Sequence, residues 1–329
     1  MNILVTGASG FVGTYLCQTL LGNGHSVIGV GRSAKHKLHY SKEMSGSKES
    51  KVSDGFEDFN PFEDSDKFEW ISADTTLEGA WQDKIKTSDV IINLTGKNIF
   101  GYWTKSYKNQ IYNSRILTTK NIVSALSDLS HVGKKQVLLN TSAIGYYGDR
   151  GEESLTEEDS AGDDFLAKVC VDWEKEALKA KEKGARVVLM RFGVVLGKDG
   201  GALSKMLPAF RFCVGGPLGN GNQWFPWIHI DDILRAILFL IENENVSGAV
   251  NFVAPESLRH KEFASSLGHT LNRPAFMPAP AFMIKAIMGE MGEAFLTSQK
   301  AKPYILNKSG FKFKYGDIES ALKDIVLNE

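Results

Sequence analysis

The first thirteen residues constrain the fold more than any other part of the chain. A short apolar run at 2–6 leads directly into Thr6-Gly7-Ala8-Ser9-Gly10-Phe11-Val12-Gly13, which opens a helical pattern at 11–23. In doubly wound α/β proteins, such a glycine turn between a buried strand and a helix binds the phosphates of a dinucleotide. Gly7 permits the tight turn, Gly10 lets the backbone approach a pyrophosphate, and Gly13 lets the helix pack close to the sheet. The alternative is a purely structural glycine turn.

Apolar runs alternate with helical patterns through the first 200 residues. Most of the runs are short and rich in Val, Ile and Leu, which is typical of parallel strands that are covered on both faces. We therefore predict a Rossmann-type doubly wound parallel sheet over residues 1–199. The predicted strands are 2–6, 26–30, 68–72, 90–94, 136–141 and 186–191, and the predicted helices are 11–23, 106–128 and 164–183.

Two regions depart from this alternation. Residues 33–67 are rich in Ser, Lys, Glu and Asp, and we interpret them as a polar surface insertion or, alternatively, a lid over the adenosine end of a cofactor. From residue 200 the chain becomes rich in glycine and aromatic residues, with a predicted helix at 231–243 and a strand at 250–253. We predict a smaller, mainly helical substrate-side domain at 200–329, with a soft boundary and at least one strand returned to the main sheet.

The end of the second strand bears on the choice of cofactor. An Asp or Glu there would hold the ribose 2′-hydroxyl of NAD, but this chain has Gly31 followed by Arg32. A guanidinium suits a 2′-phosphate, and Lys35 and Lys37 add positive charge nearby. The sequence therefore favours NADP(H). The alternative is that Arg32 stacks on the adenine and discriminates little.

Two further strand ends are expected to reach the same ligand, because ligands of such sheets lie outside the carboxyl ends of the strands. The segment Ala73-Asp74-Thr75 follows the third strand and is placed to meet the adenine edge. Asn93, Leu94, Thr95 and Gly96, at the end of the fourth strand, are placed against the adenosine-side ribose and the pyrophosphate.

Composition excludes several other classes of protein. The net charge of −1 provides no field that would attract nucleic acid or anionic lipid. Cys17, Cys170 and Cys213 are far apart and fit neither a disulfide framework nor paired zinc ligands, so we expect no metal. No leader pattern and no run of about 20 apolar residues is found. We expect a soluble, cytoplasmic protein with no nucleic-acid or membrane partner.

Ten short segments between residues 93 and 311 carry a more specific resemblance. They are NLTG at 93–96, NSR at 113–115, TSAIGYYG at 141–148, GDDF at 162–165, DWE at 172–174, RFGVVLG at 191–197, GGPLG at 215–219, QWFPWIH at 223–229, NRP at 272–274 and GF at 310–311. With these segments the chain resembles the extended short-chain dehydrogenase/reductases of the NAD-dependent epimerase/dehydratase superfamily. It is most similar to their atypical branch, called epimerase family proteins, which carries a C-terminal domain of unknown function.

The resemblance implies cofactor contacts at the phosphate turn and at positions beyond it. Arg115 also makes physical sense, since a cation on the helix after the fourth strand can reach into the cleft. For Gln110 the alternative is a solvated surface amide. With Asp74 and Gly96 added, the predicted cofactor-binding residues are Gly7, Ser9, Gly10, Phe11, Val12, Gly13, Gly31, Arg32, Asp74, Leu94, Thr95, Gly96, Gln110, Arg115 and Val195.

The family's usual catalytic pair is missing. Short-chain dehydrogenases use a tyrosine as general acid/base, and a lysine four residues later lowers its pKa. Phe165 and Val169 occupy the corresponding positions here. Ser142 is where the substrate-orienting serine is expected, and Tyr147 is a candidate proton donor, with a packing role as the alternative. These two residues are the predicted catalytic groups.

Further along the chain, His229 and Asp231 resemble a metal site or a dyad. We predict instead that Asp231 caps the following helix and that His229 is a hydrogen-bonded structural residue. The aromatic residues Trp224, Phe225 and Trp227 form either an apolar substrate wall or a packed interface between domains.

Together these features predict an NADP(H)-dependent oxidoreductase or epimerase-like enzyme that acts on a small molecule of unidentified structure. Hydride would pass between the nicotinamide and an alcohol or carbonyl held over Ser142. The alternative is a non-catalytic, NADP(H)-binding regulatory protein that acts through a protein partner. A homodimer is among the assemblies we expect.

Overall fold

A seven-stranded, fully parallel sheet organises the chain. The computed structural model describes residues 1–33, 62, 65–127, 136–198 and 200–327. The strands lie in the order β7-β6-β5-β4-β1-β2-β3, which confirms the predicted Rossmann-type doubly wound fold. The strands are β1 (Asn2–Thr6), β2 (Ser26–Gly31), β3 (Phe68–Ser72), β4 (Val90–Asn93), β5 (Val137–Ala143), β6 (Arg186–Phe192) and β7 (Gly248–Phe252).

Helices cover both faces of this sheet, because its strands are apolar on both sides. Ile3 and Val5 pack on one face in a core shared with the first helix and the sixth, whereas Leu4 and Ile91 pack on the other. The helices are α1 (Phe11–Gly22), α2 (Asp83–Thr87), α3 (Lys105–Ala125), α4 (Phe165–Leu178), α5 (Leu203–Arg211), α6 (Ile230–Glu242), α7 (His260–Thr270), α8 (Ala281–Met288), α9 (Glu290–Ala294), α10 (Tyr304–Lys308) and α11 (Ile318–Leu327).

Strand β7 comes from the second half of the chain and pairs in parallel with β6, at the edge of the main sheet. It corresponds to the strand predicted at 250–253 and begins two residues earlier. The predicted return of a strand to the main sheet is therefore seen in β7. The soft domain boundary at residue 200 stays a prediction. Most of the insertion predicted at 33–67, with Lys35 and Lys37, lies outside the described residues.

The C-terminal region is tied to the main sheet through the start of α6. The buried Asp232 carboxylate accepts hydrogen bonds from the backbone amides of Lys314 (2.7 Å) and Tyr315 (2.9 Å). The cap of α6 differs from the prediction: His229 Nδ1 accepts the Asp231 amide at 3.1 Å, so His229 is the capping residue. Asp231, predicted as the cap, pairs with the Lys314 ammonium at 3.1 Å. A histidine was not expected to cap because Asp is the commoner capping residue.

No described helix is both long enough and apolar enough to cross a membrane. The same part of the chain contains no cluster of three or more His, Cys, Asp or Glu side chains with the geometry of a metal site.

Candidate cofactor site

A cavity of about 600 Å³ opens at the carboxyl edge of the sheet, around the ends of β1, β2, β3 and β4. Of the fifteen predicted cofactor residues, the structure brings ten together in its lining. These are Gly7, Ser9, Gly10, Gly31, Arg32, Asp74, Leu94, Thr95, Gly96 and Gln110. Strand ends that are far apart in the sequence therefore meet at one concave site, as expected for this fold.

The phosphate turn requires its glycines for steric reasons. Gly7 has φ +71°, and a Cβ there would lie 2.8 Å from the Leu94 carbonyl carbon. A Cβ on Gly13 would lie 2.3 Å from the Gly7 carbonyl oxygen. The turn and the first helical turn are therefore in contact through their backbones, and a larger residue at position 13 would separate them.

Helix α1 begins without a protein cap. Gly10 is its N-cap residue, no side chain accepts from the first amides, and no acidic residue lies in the first turn. The amides of Phe11, Val12 and Gly13 have no acceptor within the helix. These three residues do not contribute to the cavity lining and lie in the first turn of α1. Together with the helix dipole, such an end is suited to bind an anion.

Arg32 and Asp74 lie together at the far end of the cavity, beyond β2 and β3. The Asp74 carboxylate accepts from the Thr76 hydroxyl (2.7 Å) and from its amide (3.0 Å). The hydroxyl bond, the amide bond and the nearby positive charge of Arg32 together lower the pKa of Asp74. Arg32 itself is exposed, so its guanidinium is available to a ligand.

The residues next to Arg32 are arranged tightly. A Cβ on Gly31 would lie 2.6 Å from the Trp70 ring, and the Trp70 indole N–H donates to the Ser33 carbonyl at 3.2 Å. The Ser33 hydroxyl oxygen is buried and finds no hydrogen-bond partner in the described part of the chain. The exposed Arg32 guanidinium next to these residues is suited to donate to a phosphate.

Asn93, at the end of β4, holds three strand ends in place. Its Oδ1 accepts from the Thr6 hydroxyl (2.7 Å) and the Thr95 amide (3.2 Å), and its Nδ2 donates to Asn140 Oδ1 at 2.7 Å. Asn93 is fully buried. Asn93, expected to face the ligand together with residues 94–96, does not line the cavity, because its side chain is bonded to Thr6, Thr95 and Asn140.

Two predicted cofactor residues outside α1 do not line the cavity. Arg115 donates from Nη1 to the carbonyls of Ile111 (2.9 Å) and Lys97 (3.1 Å), and its guanidinium lies over the Trp173 ring at 5.2 Å. Burial lowers the pKa of this guanidinium. Val195 lies in a short strand, Val194–Leu196, that pairs with Trp227–His229. Cofactor contacts by Arg115 and Val195 stay predictions.

The two predicted catalytic residues belong to a buried polar network. The Ser142 hydroxyl donates to Glu174 Oε1 at 2.7 Å. Arg191 donates to both oxygens of Glu174 at 2.8 Å and, from Nη1, to the Tyr147 hydroxyl at 2.9 Å. Ser142 is 1% exposed and Tyr147 is 0% exposed. Neither residue lines the cavity.

The Tyr147 hydroxyl is occupied on both its donor and its acceptor side. It donates to the Thr156 carbonyl or to Asn251 Oδ1, each 2.8 Å away. Burial raises the pKa of Tyr147 to about 12, although the neighbouring Arg191 opposes this shift. A phenol with this pKa keeps its proton at neutral pH. The catalytic assignments of Ser142 and Tyr147 stay predictions, and this geometry favours the packing role for Tyr147.

Apolar side chains occupy the two positions of the missing catalytic pair. Helix α4 begins at Phe165, whose ring meets the Trp103 ring at 5.3 Å and 68° and lies 4.6 Å below the Lys108 ammonium. Val169, one turn further, is 2% exposed. No proton donor replaces the tyrosine at position 165, and no ammonium replaces the lysine at position 169.

The aromatic group predicted as a substrate wall or a packed interface is engaged with protein groups. Trp227 is fully buried. The Trp224 ring contacts both the Arg259 guanidinium (4.4 Å) and the Lys300 ammonium (4.3 Å). Phe225 packs on Phe263 at 4.5 Å. These contacts favour the packing interpretation.

A parallel sheet with an uncapped first helix at its carboxyl edge defines a Rossmann-type nucleotide-binding protein. Comparisons with known proteins narrow this class. The model of the NAD dependent epimerase/dehydratase family matches residues 3–252, and that of a domain of unknown function (DUF1731) matches residues 279–325. The chain belongs to the NAD dependent epimerase/dehydratase family.

Similar proteins cover nearly the whole chain. A chloroplastic epimerase family protein SDR39U1 homolog of Arabidopsis thaliana is 36% identical over 99% of this chain and 87% of its own length. Epimerase family protein YfhF of Bacillus subtilis is 34% identical over 100% and 99%. The crystal structure of human epimerase family protein SDR39U1 (isoform 2) with NADPH has a TM-score of 0.79, with 29% identity and 100% of both chains covered.

Proposed function

We propose that this protein is an NADP(H)-binding oxidoreductase or epimerase-like enzyme that acts on a small molecule. One observation carries the proposal: the uncapped start of α1 and the exposed Arg32 belong to the same cavity. They provide separate anion sites for a pyrophosphate and for a 2′-phosphate. The similar human protein crystallised with NADPH supports the same choice of cofactor.

The residues present fit the phosphorylated coenzyme. Arg32 is exposed, lines the cavity and has no acidic residue directly beside it in the chain. A 2′-phosphate would accept hydrogen bonds from its guanidinium. An unphosphorylated ribose would leave the guanidinium unpaired, so we expect a preference for NADP(H) over NAD(H).

The nicotinamide, when bound, supplies hydride transfer to or from a substrate carbon. The chain itself would have to orient the substrate without the usual tyrosine and lysine. Since Phe165 and Val169 provide no proton, a proton would come from the substrate, from water or from a group near Ser142 that becomes accessible on ligand binding.

The supporting experiment measures oxidation of NADPH by purified protein with panels of carbonyl compounds and sugar nucleotides, read as loss of absorbance of the reduced nicotinamide. We expect turnover with at least one compound, and loss of turnover at limiting NADPH in Arg32→Ala. Ser142→Ala, with folding checked separately, tests the predicted role of Ser142. NADPH that stays bound and unoxidised across these panels would contradict the enzyme proposal.

A second candidate is a non-catalytic NADP(H)-binding regulator that acts through a protein partner. The apolar contacts at Phe165 and Val169, together with the buried Ser142 and Tyr147, favour it. Binding of NADPH without turnover, together with a partner whose affinity depends on NADPH, would support this candidate over the enzyme.

We further propose a cytoplasmic location, since Cys17, Cys170 and Cys213 are all free thiols. We also propose that the region from residue 200 onward supplies the substrate side of the cleft, and that the protein forms a homodimer. Mass measurement in solution tests the last proposal.

A further inference from the structure

Lys97 lies on the wall of the cavity formed by the segment between β4 and α3. Its backbone is held by α3 from two directions. The Lys97 amide donates to the Ser114 hydroxyl at 2.9 Å, and the Arg115 guanidinium donates to the Lys97 carbonyl at 3.1 Å. The Cα atom of Lys97 is therefore fixed relative to the cavity, although it lies in a segment without regular structure.

The side chain of Lys97 is also partly oriented. Its ammonium lies 5.3 Å from the centre of the Tyr107 ring. That ring is itself fixed, because the Tyr107 hydroxyl donates to the carbonyl of Asn98 (2.7 Å) or Phe100 (3.0 Å). A cation–π contact of this kind at a partly exposed site is weak, so it favours one orientation of the side chain without fixing it.

The charge of Lys97 is not neutralised by the described residues. Lys108, by contrast, forms an ion pair with Glu290 at 2.6 Å. No carboxylate in the described part of the chain comes within ion-pair distance of Lys97, and among the described residues that line the cavity only Asp74 is acidic. Asp74 is already bonded to Thr76 and lies close to Arg32. The cavity thus presents a lysine charge that is available to a ligand.

The order of the strands indicates which part of the ligand Lys97 meets. Arg32 and Asp74 follow β2 and β3, on one side of β1, whereas Lys97 follows β4, on the other side. With the pyrophosphate at the start of α1, beside β1, the adenosine extends towards Arg32. The phosphate further from the adenosine then lies on the Lys97 side.

We infer that the Lys97 ammonium binds the nicotinamide-side phosphate of the coenzyme, opposite the amides of α1. The pyrophosphate would then be held between backbone amides on one side and an ammonium on the other. This inference rests on the proposed NADP(H) binding, and it gives the segment between β4 and α3 a direct role in coenzyme affinity.

The test compares two ligands on Lys97→Met and on the control Lys105→Met, which removes the same charge from an exposed position outside the cavity lining. NADPH contains both bridging phosphates. Adenosine 2′,5′-bisphosphate contains the adenosine half with only the nearer one. For Lys97→Met we expect the Kd for NADPH to rise about 10- to 100-fold, the effect of losing a charge-assisted hydrogen bond.

The Kd of Lys97→Met for the bisphosphate should stay within about twofold of the wild-type value, and Lys105→Met should bind both ligands normally at 0.15 M salt, where exposed charges are screened. Lys97→Arg should retain most of the NADPH affinity. Thermal unfolding of each variant without ligand shows that the fold is intact.

Unchanged NADPH affinity in Lys97→Met, or an equal loss for both ligands, would overturn the role given to Lys97 and leave NADP(H) binding standing. Wild-type protein that binds neither ligand would overturn the proposed function itself.

Discussion

The cofactor cavity and the buried Ser142–Glu174–Arg191–Tyr147 network lie on the same sheet but differ in how their polar groups are used. In the cavity, the Arg32 guanidinium and the Lys97 ammonium are not paired with carboxylates of the described chain, and the first amides of α1, next to the cavity, have no side-chain cap. In the network, the hydroxyls and charges of all four residues are paired with one another or with nearby protein groups.

This difference indicates that the polar groups of the cavity serve coenzyme binding, whereas those of the network serve the stability of the fold. Polar groups that have no protein partner gain from a ligand, whereas groups that already satisfy one another mainly stabilise the fold. We therefore expect changes in the cavity to alter coenzyme affinity and changes in the network to alter the free energy of unfolding.

The largest effect is expected when the network loses one of its charges. Glu174→Ala leaves the buried Arg191 guanidinium without its carboxylate, and the free energy of unfolding should fall by about 3–5 kcal/mol. Glu153→Ala is the control, because it breaks only the exposed pair with Arg150 and should leave the free energy of unfolding close to the wild-type value. Urea unfolding measures both. Equal losses in the two variants would contradict the structural role of the network.

Arg32→Ala tests the role of the cavity in coenzyme binding. We expect the Kd for NADPH to rise about 10- to 100-fold, because a charge-assisted contact to the 2′-phosphate is lost. The Kd for NADH should change by less than about twofold, and stability should stay the same, because Arg32 is exposed. Fluorescence titration of the reduced nicotinamide measures both constants. An equal rise in the Kd for both coenzymes would mean that Arg32 does not recognise the 2′-phosphate.

Tyr147→Phe tests the paired hydroxyl through its pH dependence. At pH 8 the variant should be less stable by about 1–2 kcal/mol, because the hydroxyl bonds are lost. Burial raises the pKa of Tyr147 to about 12 in the folded protein, whereas an unfolded tyrosine titrates near about 10. Above that lower pKa the unfolded state releases a proton that the folded state keeps, so the wild type loses stability as the pH rises towards 12.

The stability difference between wild type and Tyr147→Phe should therefore shrink from pH 10 upward. Denaturant unfolding at several alkaline pH values measures it. A difference that stays constant or grows would show that the phenol is not protected as the structure indicates.

The smallest effect is expected at the position of the missing tyrosine. Phe165→Tyr adds a hydroxyl to a half-buried ring at the start of α4 and should change the free energy of unfolding by no more than about 0.5 kcal/mol. It should not create carbonyl-dependent NADPH oxidation, since Val169 supplies no ammonium to lower the pKa of the new phenol. Carbonyl-dependent NADPH oxidation that appears only in this variant would contradict the distinction between a cavity that binds coenzyme and a network that stabilises the fold.

The fold and the residues of the cofactor cavity could be predicted from the sequence, because the patterns that indicate them lie within short segments of the chain. A strand, a glycine turn and a helix occupy residues 2–22 without interruption, and Arg32 directly follows its strand. At most strand ends, a polar residue of the cavity lies within three positions of the last residue of the strand. Because ligands of such sheets lie at the carboxyl edge, these residues could be assigned to one site.

The network could not be predicted, because its bonds join distant residues. Glu174 meets Ser142 across 32 residues, and Tyr147 meets Asn251 across 104. A serine after the fifth strand has the same local sequence whether it faces a cleft or a buried carboxylate. Lys97 was missed for a related reason: its position depends on Ser114 and Arg115 in the following helix.

We expect the start of α1 and Arg32 to bind the phosphorylated nicotinamide coenzyme together. Calorimetric titration of the purified wild-type protein with NADPH and, separately, with NADH tests it most directly. We expect one site per chain and a Kd for NADPH at least about tenfold lower than that for NADH. Absence of binding by either coenzyme, or equal affinity for the two, would contradict it.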